Sequence, residues 1–242
     1  MTRQSFPPPS ILPPLQSGDR LSRDEFERRY AASPIQNAEL IEGVVYVASP
    51  LRFQQHAEPH SRLHGWLWTY QVATPGLRLG IEPTVRLDAD NEVQPDIALM
   101  RSVGGQTRID ADGYVEGAPE LVIEIAASSA AIDLGDKKQV YQRSGVQDYL
   151  VWQVFENRLD WFQLVNDEYQ PLQPDNDGIL RSVSFPGLWL AIAPLLSGEM
   201  SEVLSVLQQG LASPDHQQFV EMQRRSLQNY ASVDDSGGAP PN

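Results

Sequence analysis

The chain has 242 residues, 41% hydrophobic and 21% charged, enough to bury a sizeable core in one domain with loose ends. It contains no cysteine, which excludes a disulfide framework, thiolate chemistry and cysteine-based zinc sites, and fits a cytoplasmic location. A net charge of −14 argues against a broad basic face for gripping duplex DNA; no apolar run approaches the roughly 18 residues of a membrane span, and the start lacks a signal peptide's apolar centre.

Residues 1–17 carry Pro7-Pro8-Pro9 and Pro13-Pro14 and read as an extended, disordered leader. A domain is expected over 18–200, a helical extension over 201–230 and a polar, disordered tail over 231–242. Ser22 and Glu25 have the spacing of a capping box, so a helix starts there, with Phe26 and Tyr30 on one face and Pro34 as its stop. Residues 38–48 read as two strands, or one bent strand, around Gly43. Glu39 in this stretch is either a solvated strand-edge carboxylate or part of a site.

His56, His60 and His64 recur every four residues, a spacing that suits a metal on a continuous helix face. Pro59 belongs in a helix's first turn, however, so His56 precedes or opens the helix and the trio reads better as polar surface around a helix start. Leu63, Trp66, Leu67 and Tyr70 then form an apolar stripe suited to core packing. After the Pro75-Gly76 turn, residues 77–81 and 84–87 alternate as the strands of a hairpin, and residues 88–91 turn.

The most informative stretch follows. Pro95-Asp96 opens an apolar run, and Leu121-Val122-Ile123-Glu124-Ile125-Ala126 is a second with an acid in its middle. Strand alternation puts Glu124 beside Val122 and Ala126, where a carboxylate is costly unless a cation compensates it. Asp133, Lys137 and Tyr141 recur every four residues and share one face of a helix over 133–144, which Gly145-Val146 ends. Residues 149–152 form the next buried strand, and the polar loop 101–118 is a candidate substrate wall near the acids. Two strand acids and a helix-borne lysine at one sheet edge suit metal-dependent phosphodiester hydrolysis. Farther on, a meander is expected over 158–172, a turn at 175–178, an apolar cap at 185–190, and two helices split by Ser213-Pro214.

The string Pro119-Glu120-Leu121-Val122-Ile123-Glu124-Ile125-Ala126-Ala127-Ser128-Ser129, followed by Asp133, Lys137, Tyr141, Gly145-Val146 and Tyr149-Leu150-Val151-Trp152, resembles the Uma-type restriction endonuclease family of the PD-(D/E)XK superfamily. The resemblance covers residues 38–152 and, more loosely, extends to Leu196. It implies an α/β fold (α+β in detail), a restriction-endonuclease-like core with a central mixed sheet flanked by helices over 54–72 and 133–144. It makes Asp96 and Glu124 the metal-binding acids for Mg2+, with Mn2+ as a substitute. Lys137 becomes the catalytic lysine, with Lys138 as its neighbour, and Glu39 a further site acid. DNA is the implied substrate and a homodimer the implied assembly. The superfamily's lysine two residues after the second acid is Ala126 here. That departure and the acidic balance keep open a non-catalytic binding or assembly module on the same fold. A serine hydrolase using Ser128 or Ser129 has no Gly-x-Ser-x-Gly turn behind it.

Overall fold

Short alternating apolar runs separated by turn residues pair into sheets, and longer amphipathic segments cover them. In the computed structural model, which describes residues 12–236, the elements run in order α1 (Arg23–Ala31), β1 (Ala38–Ile41), β2 (Val44–Val47), a π-helical turn (Phe53–Ala57), α2 (Glu58–Ala73), β3 (Leu77–Ile81), β4 (Val85–Arg86), β5 (Glu92–Val93), β6 (Ile97–Arg101), β7 (Arg108–Ile109), β8 (Val115–Glu116) and β9 (Leu121–Ala126). They continue with α3 (Ala130–Asp133), α4 (Asp136–Ser144), β10 (Asp148–Gln153), β11 (Arg158–Val165), β12 (Glu168–Pro171), β13 (Ile179–Arg181), β14 (Trp189–Ala191), α5 (Ile192–Ser197), α6 (Met200–Leu211) and α7 (Pro214–Ser236).

The principal sheet has strand order β12-β11-β10-β9-β6-β3, and a second has order β2-β1-β5-β4-β8-β7. Strands β9 and β10 are parallel, joined by a crossover that carries α3 and α4, whereas β6 is antiparallel to β9. All six residues of β9 are buried, because both of its faces are covered. Leu121, Ile123 and Ile125 enter one core with Leu63, Trp66 and Leu67 of α2. Val122 and Ala126 enter the other with Val140 and Tyr141 of α4. At about 1.5–3 kcal/mol for each fully buried aliphatic side chain, these two cores are what holds Glu124 in place between its neighbours. The β1–β2 connection places Glu42 and Gly43 at φ 51° and 70°, the left-handed pair that a tight hairpin requires.

Several expectations are corrected. Residues 1–11 of the leader lie outside the described residues, but Leu15 is buried with Phe26, Leu40 and Val45, and Ser17 Oγ accepts a bond from Val47 N. The described part of the leader is therefore anchored at Leu15 and Ser17, because burying Leu15 outweighs the extended tendency of the prolines. The helix expected over 133–144 is two pieces broken at Leu134-Gly135. Only glycine fits there, since a Cβ on Gly135 would meet Ala131 O at 2.5 Å. Strands β3 and β4 are not a hairpin: β3 pairs with β6 and β4 with β5 and β8, in different sheets. Glu82 at positive φ and Pro83, which has no amide proton to donate, part them. Helix α7 runs to Ser236, past the expected boundary at 230, because no breaker occurs before Gly237; residues 237–242 lie outside the described residues.

Candidate active site

The two strand acids are brought together by register. Ile97 of β6 faces Ile123 of β9, so Asp96 and Glu124 occupy neighbouring positions on inner strands of the sheet. The site therefore sits at the ends of inner strands rather than at the expected edge. Asp96 precedes β6, and its Oδ2 accepts the Ile125 backbone N–H at 2.6 Å. Its Oδ1 is 2.9 Å from His56 Nε2.

Lys137 supplies the missing cation. Its Nζ is 2.9 Å from Glu124 Oε1 and 2.9 Å from Glu39 Oε1, and 3.8 Å from Asp133 Oδ1. Although the helix is broken, Asp133, Lys137 and Tyr141 still face the same way: the Tyr141 hydroxyl donates to Glu124 Oε1 at 2.9 Å. Glu39 is held by the Gln94 backbone N–H at 2.7 Å and Asp133 by the Ser129 hydroxyl at 2.5 Å. Ala126, where a strand lysine was absent, is fully buried under α4, and the ammonium arrives from that helix instead. Lys138 turns elsewhere, its Nζ lying 3.6 Å from the centre of the Phe162 ring.

Four carboxylates thus surround one ammonium and one imidazole. Burial pushes the Glu124 carboxyl well above the ordinary carboxylate range; Lys137 pulls it back, and Asp133, Asp96 and Glu39 add to the rise. Burial likewise raises Asp133 to about 6. For Lys137 burial works against the charge, but Glu124, Glu39 and Asp133 outweigh it and hold the ammonium well above its ordinary range. Burial also depresses His56, yet the hydrogen bond and charge of Asp96 leave it raised. The site is short of positive charge, which is the electrostatic condition under which a divalent cation binds.

A cavity of about 870 Å3 exposes these groups, its wall including Glu39, His56, Asp96, Glu124, Asp133 and Lys137. The loop 101–118 contributes nothing to that wall, so it is not the expected substrate wall. Glu120 instead ties the loop down by accepting Arg101 N and Gln106 N at 2.9 and 3.0 Å. The contact of His56 with Asp96 was not foreseen. The π-helical turn before Glu58 places His56 and His60 on one side, whereas His64 packs near Trp68; the four-residue spacing was the available signal.

A family model described as "Uma2: Putative restriction endonuclease" matches residues 23–193. The chain belongs to the Uma2 family. The Uma2 match includes every acid of the cluster and Lys137, and leaves α6 and α7 outside it. A crystal structure described as "a putative nuclease belonging to DUF820 from Anabaena variabilis ATCC 29413" is similar with a TM-score of 0.56 and 19% identity over 73% of this chain and 98% of that one. At that identity the likeness carries the restriction-endonuclease-like fold. Among curated proteins none matches the chain. Among the described residues no helix is long and apolar enough to cross a membrane.

Proposed function

We propose that this Uma2 protein is a Mg2+-dependent endonuclease that hydrolyses DNA phosphodiester bonds, with Asp96 and Glu124 as metal-binding acids and Mn2+ as an alternative ion. The observation that carries the reading is the convergence of these two acids, registered across β6 and β9, with Lys137 in one open cavity. The donor set fits a hard cation: it is rich in carboxylate oxygen, and Glu124 Oε2 has no hydrogen-bond partner among the described residues. When bound, the ion supplies Lewis-acid polarisation of the phosphate and a lowered pKa for water.

The chain's own residues do the rest. Ile125 N–H and His56 orient Asp96, while Tyr141 and Lys137 hold Glu124 by one oxygen and leave the other available. Lys137, bridging Glu124 and Glu39, orients an attacking water or stabilises charge that develops on phosphorus. Glu39 and Asp133 keep the ammonium protonated as the reaction proceeds. A homodimer would present two such cavities to the two strands of a duplex.

The test is cleavage of plasmid and oligonucleotide DNA with Mg2+ by wild type, Asp96→Asn and Glu124→Gln, with circular dichroism as the check on folding. Each variant should lose about 10²–10³-fold in rate. Undiminished cutting by both variants refutes the assignment. A wild type that binds DNA but never cuts it favours the non-catalytic module suggested by the −14 charge.

A further inference from the structure

The carboxylate and lysine chemistry uses His56 only to orient Asp96 and does not use His60. His56 lies in the π-helical turn and His60 in the first turn of α2, so their four-residue spacing is kept across Pro59, and their rings meet edge to face with centroids 5.6 Å apart. Both residues are buried, 8% and 9% exposed overall. One ring nitrogen of each, with one oxygen of Asp96, forms a set of atoms within 4.8 Å of one another. His56 Nε2 is already 2.9 Å from Asp96 Oδ1.

The hydrogen bonding of the two rings is incomplete. His56 Nδ1 and His60 Nε2 are buried and have no partner among the described residues, although buried polar atoms normally do. His60 Nδ1 is 4.0 Å from Glu82 Oε1, a nearby carboxylate beyond direct hydrogen-bond reach. Asp96 is itself oriented by Ile125 N at 2.6 Å. Two imidazoles and a carboxylate are the ligand set of a borderline divalent ion, whereas Mg2+ takes oxygen.

We propose that His56, His60 and Asp96 form a second metal site, for a divalent transition ion of the Co2+ or Zn2+ class, which shares Asp96 with the carboxylate cluster. Ligands held at about 2.0–2.1 Å around one tetrahedral ion lie roughly 3.4 Å apart. The widest pair therefore closes by up to about 1.4 Å while the His56–Asp96 pair, now at 2.9 Å, opens by about 0.5 Å, both by adjustment of the rings. A groove of about 340 Å3 lined by Leu51, His60, His64 and Glu82 reaches His56, which also borders the main cavity, and gives the ion a route in. The site goes beyond the proposed nuclease activity and does not need it.

The test is titration of Co2+ into the full chain after chelator treatment, followed by visible absorption and calorimetry, for wild type, His60→Ala, His60→Asn and Glu124→Gln. The expected result is one tightly bound Co2+ with d–d bands in wild type. Affinity should fall about tenfold or more in both His60 variants and stay within about threefold of wild type in Glu124→Gln. Unchanged affinity in both folded His60 variants overturns the site, as does loss in Glu124→Gln alone. Should the variants not fold, the histidine 15N resonances of wild type decide. Coordination shifts of the His56 and His60 ring nitrogens on addition of diamagnetic Zn2+ support the site, and their absence overturns it. A protein that binds Co2+ through His60 but cleaves no DNA keeps this site and loses the nuclease reading.

Discussion

Two clusters in this molecule share a formula, one cation among four acids, and differ in what surrounds it. In the first, Lys137 sits among Glu39, Glu124 and Asp133, with Asp96 beside them, on the wall of the 870 Å3 cavity. In the second, Arg86 of β4 meets Glu27 at 3.0 Å, Asp110 at 2.5 Å, Asp112 at 3.3 Å and Glu92 at 3.5 Å. The Tyr114 ring covers that guanidinium at 4.5 Å, and none of its acids borders the cavity. Arg86 ties α1, β5 and the β7–β8 hairpin to one strand, and its planar fork gives a directed donor to each partner. Lys137 offers a compact charge, leaving carboxylate oxygens free for a ligand. The difference teaches that an acidic cluster is a site where its carboxylates converge on a cavity that can hold a ligand, not merely where they are exposed.

The comparison is broken most severely by removing each cation. Lys137→Met should lower Mg2+-dependent cleavage by about 10²–10³-fold and destabilise the fold by about 3 kcal/mol near pH 8, because buried carboxylates lose their partner. The pH dependence has a definite sign. Asp133 is raised by burial to about 6 in the fold, above its ordinary unfolded value. The stability associated with its protonated form is full below that unfolded value and is lost as pH rises through about 6. Without Lys137 the window moves upward, so the variant should regain stability on acidification. Denaturant melts at pH 5 and pH 8 check this; equal destabilisation at both would refute it.

Arg86→Met should cost about 1.5–3 kcal/mol of stability while leaving Mg2+ affinity within about twofold in the folded protein, read by chemical denaturation and calorimetry. Glu92, raised to about 7 mainly by burial and by Glu27, loses its compensating cation in this variant. A metal-binding defect comparable to that of Glu124→Gln would erase the distinction between the two clusters.

Much of the first cluster was legible and almost none of the second. The six-residue alternation in β9 placed Glu124 beside Val122 and Ala126, and the four-residue spacing aligned Asp133, Lys137 and Tyr141; both are local periodicities that survive folding, even across the break at Gly135. The pairing of Ile97 with Ile123 is tertiary and has no local signature. The same is true of the split of β3 from β4 into different sheets, where apolar alternation looked like a hairpin. Arg86 read as an ordinary strand residue, since its acids come from positions 27, 92, 110 and 112. His56 was obscured by Pro59: the π-helical turn lets the chain keep the histidine spacing at a position where a regular helix was not expected.

A milder change sharpens the comparison through pH alone. Burial raises Glu124 well above the ordinary carboxylate range and Asp133 to about 6, so a cation must displace protons to bind. Mg2+ affinity should therefore rise with pH from about pH 6 upward, by up to about tenfold per unit for each proton released. Calorimetry in buffers of different ionisation enthalpy counts the protons; a pH-independent affinity would show that the carboxylates bind the ion without losing any.

The smallest expected effect lies in the covered cluster. Tyr114 is 41% exposed and lays its ring over Arg86 at 4.5 Å, a cation–π contact worth about 0.5–1 kcal/mol at such a site. Tyr114→Ala should lower stability by about that amount, and Tyr114→Phe, which keeps the ring, by less than half of it. Neither should alter cleavage, because the ring does not border the cavity. A Tyr114→Ala protein as stable as wild type would mean that the four acids alone hold Arg86, and that the ring covers the cluster without strengthening it.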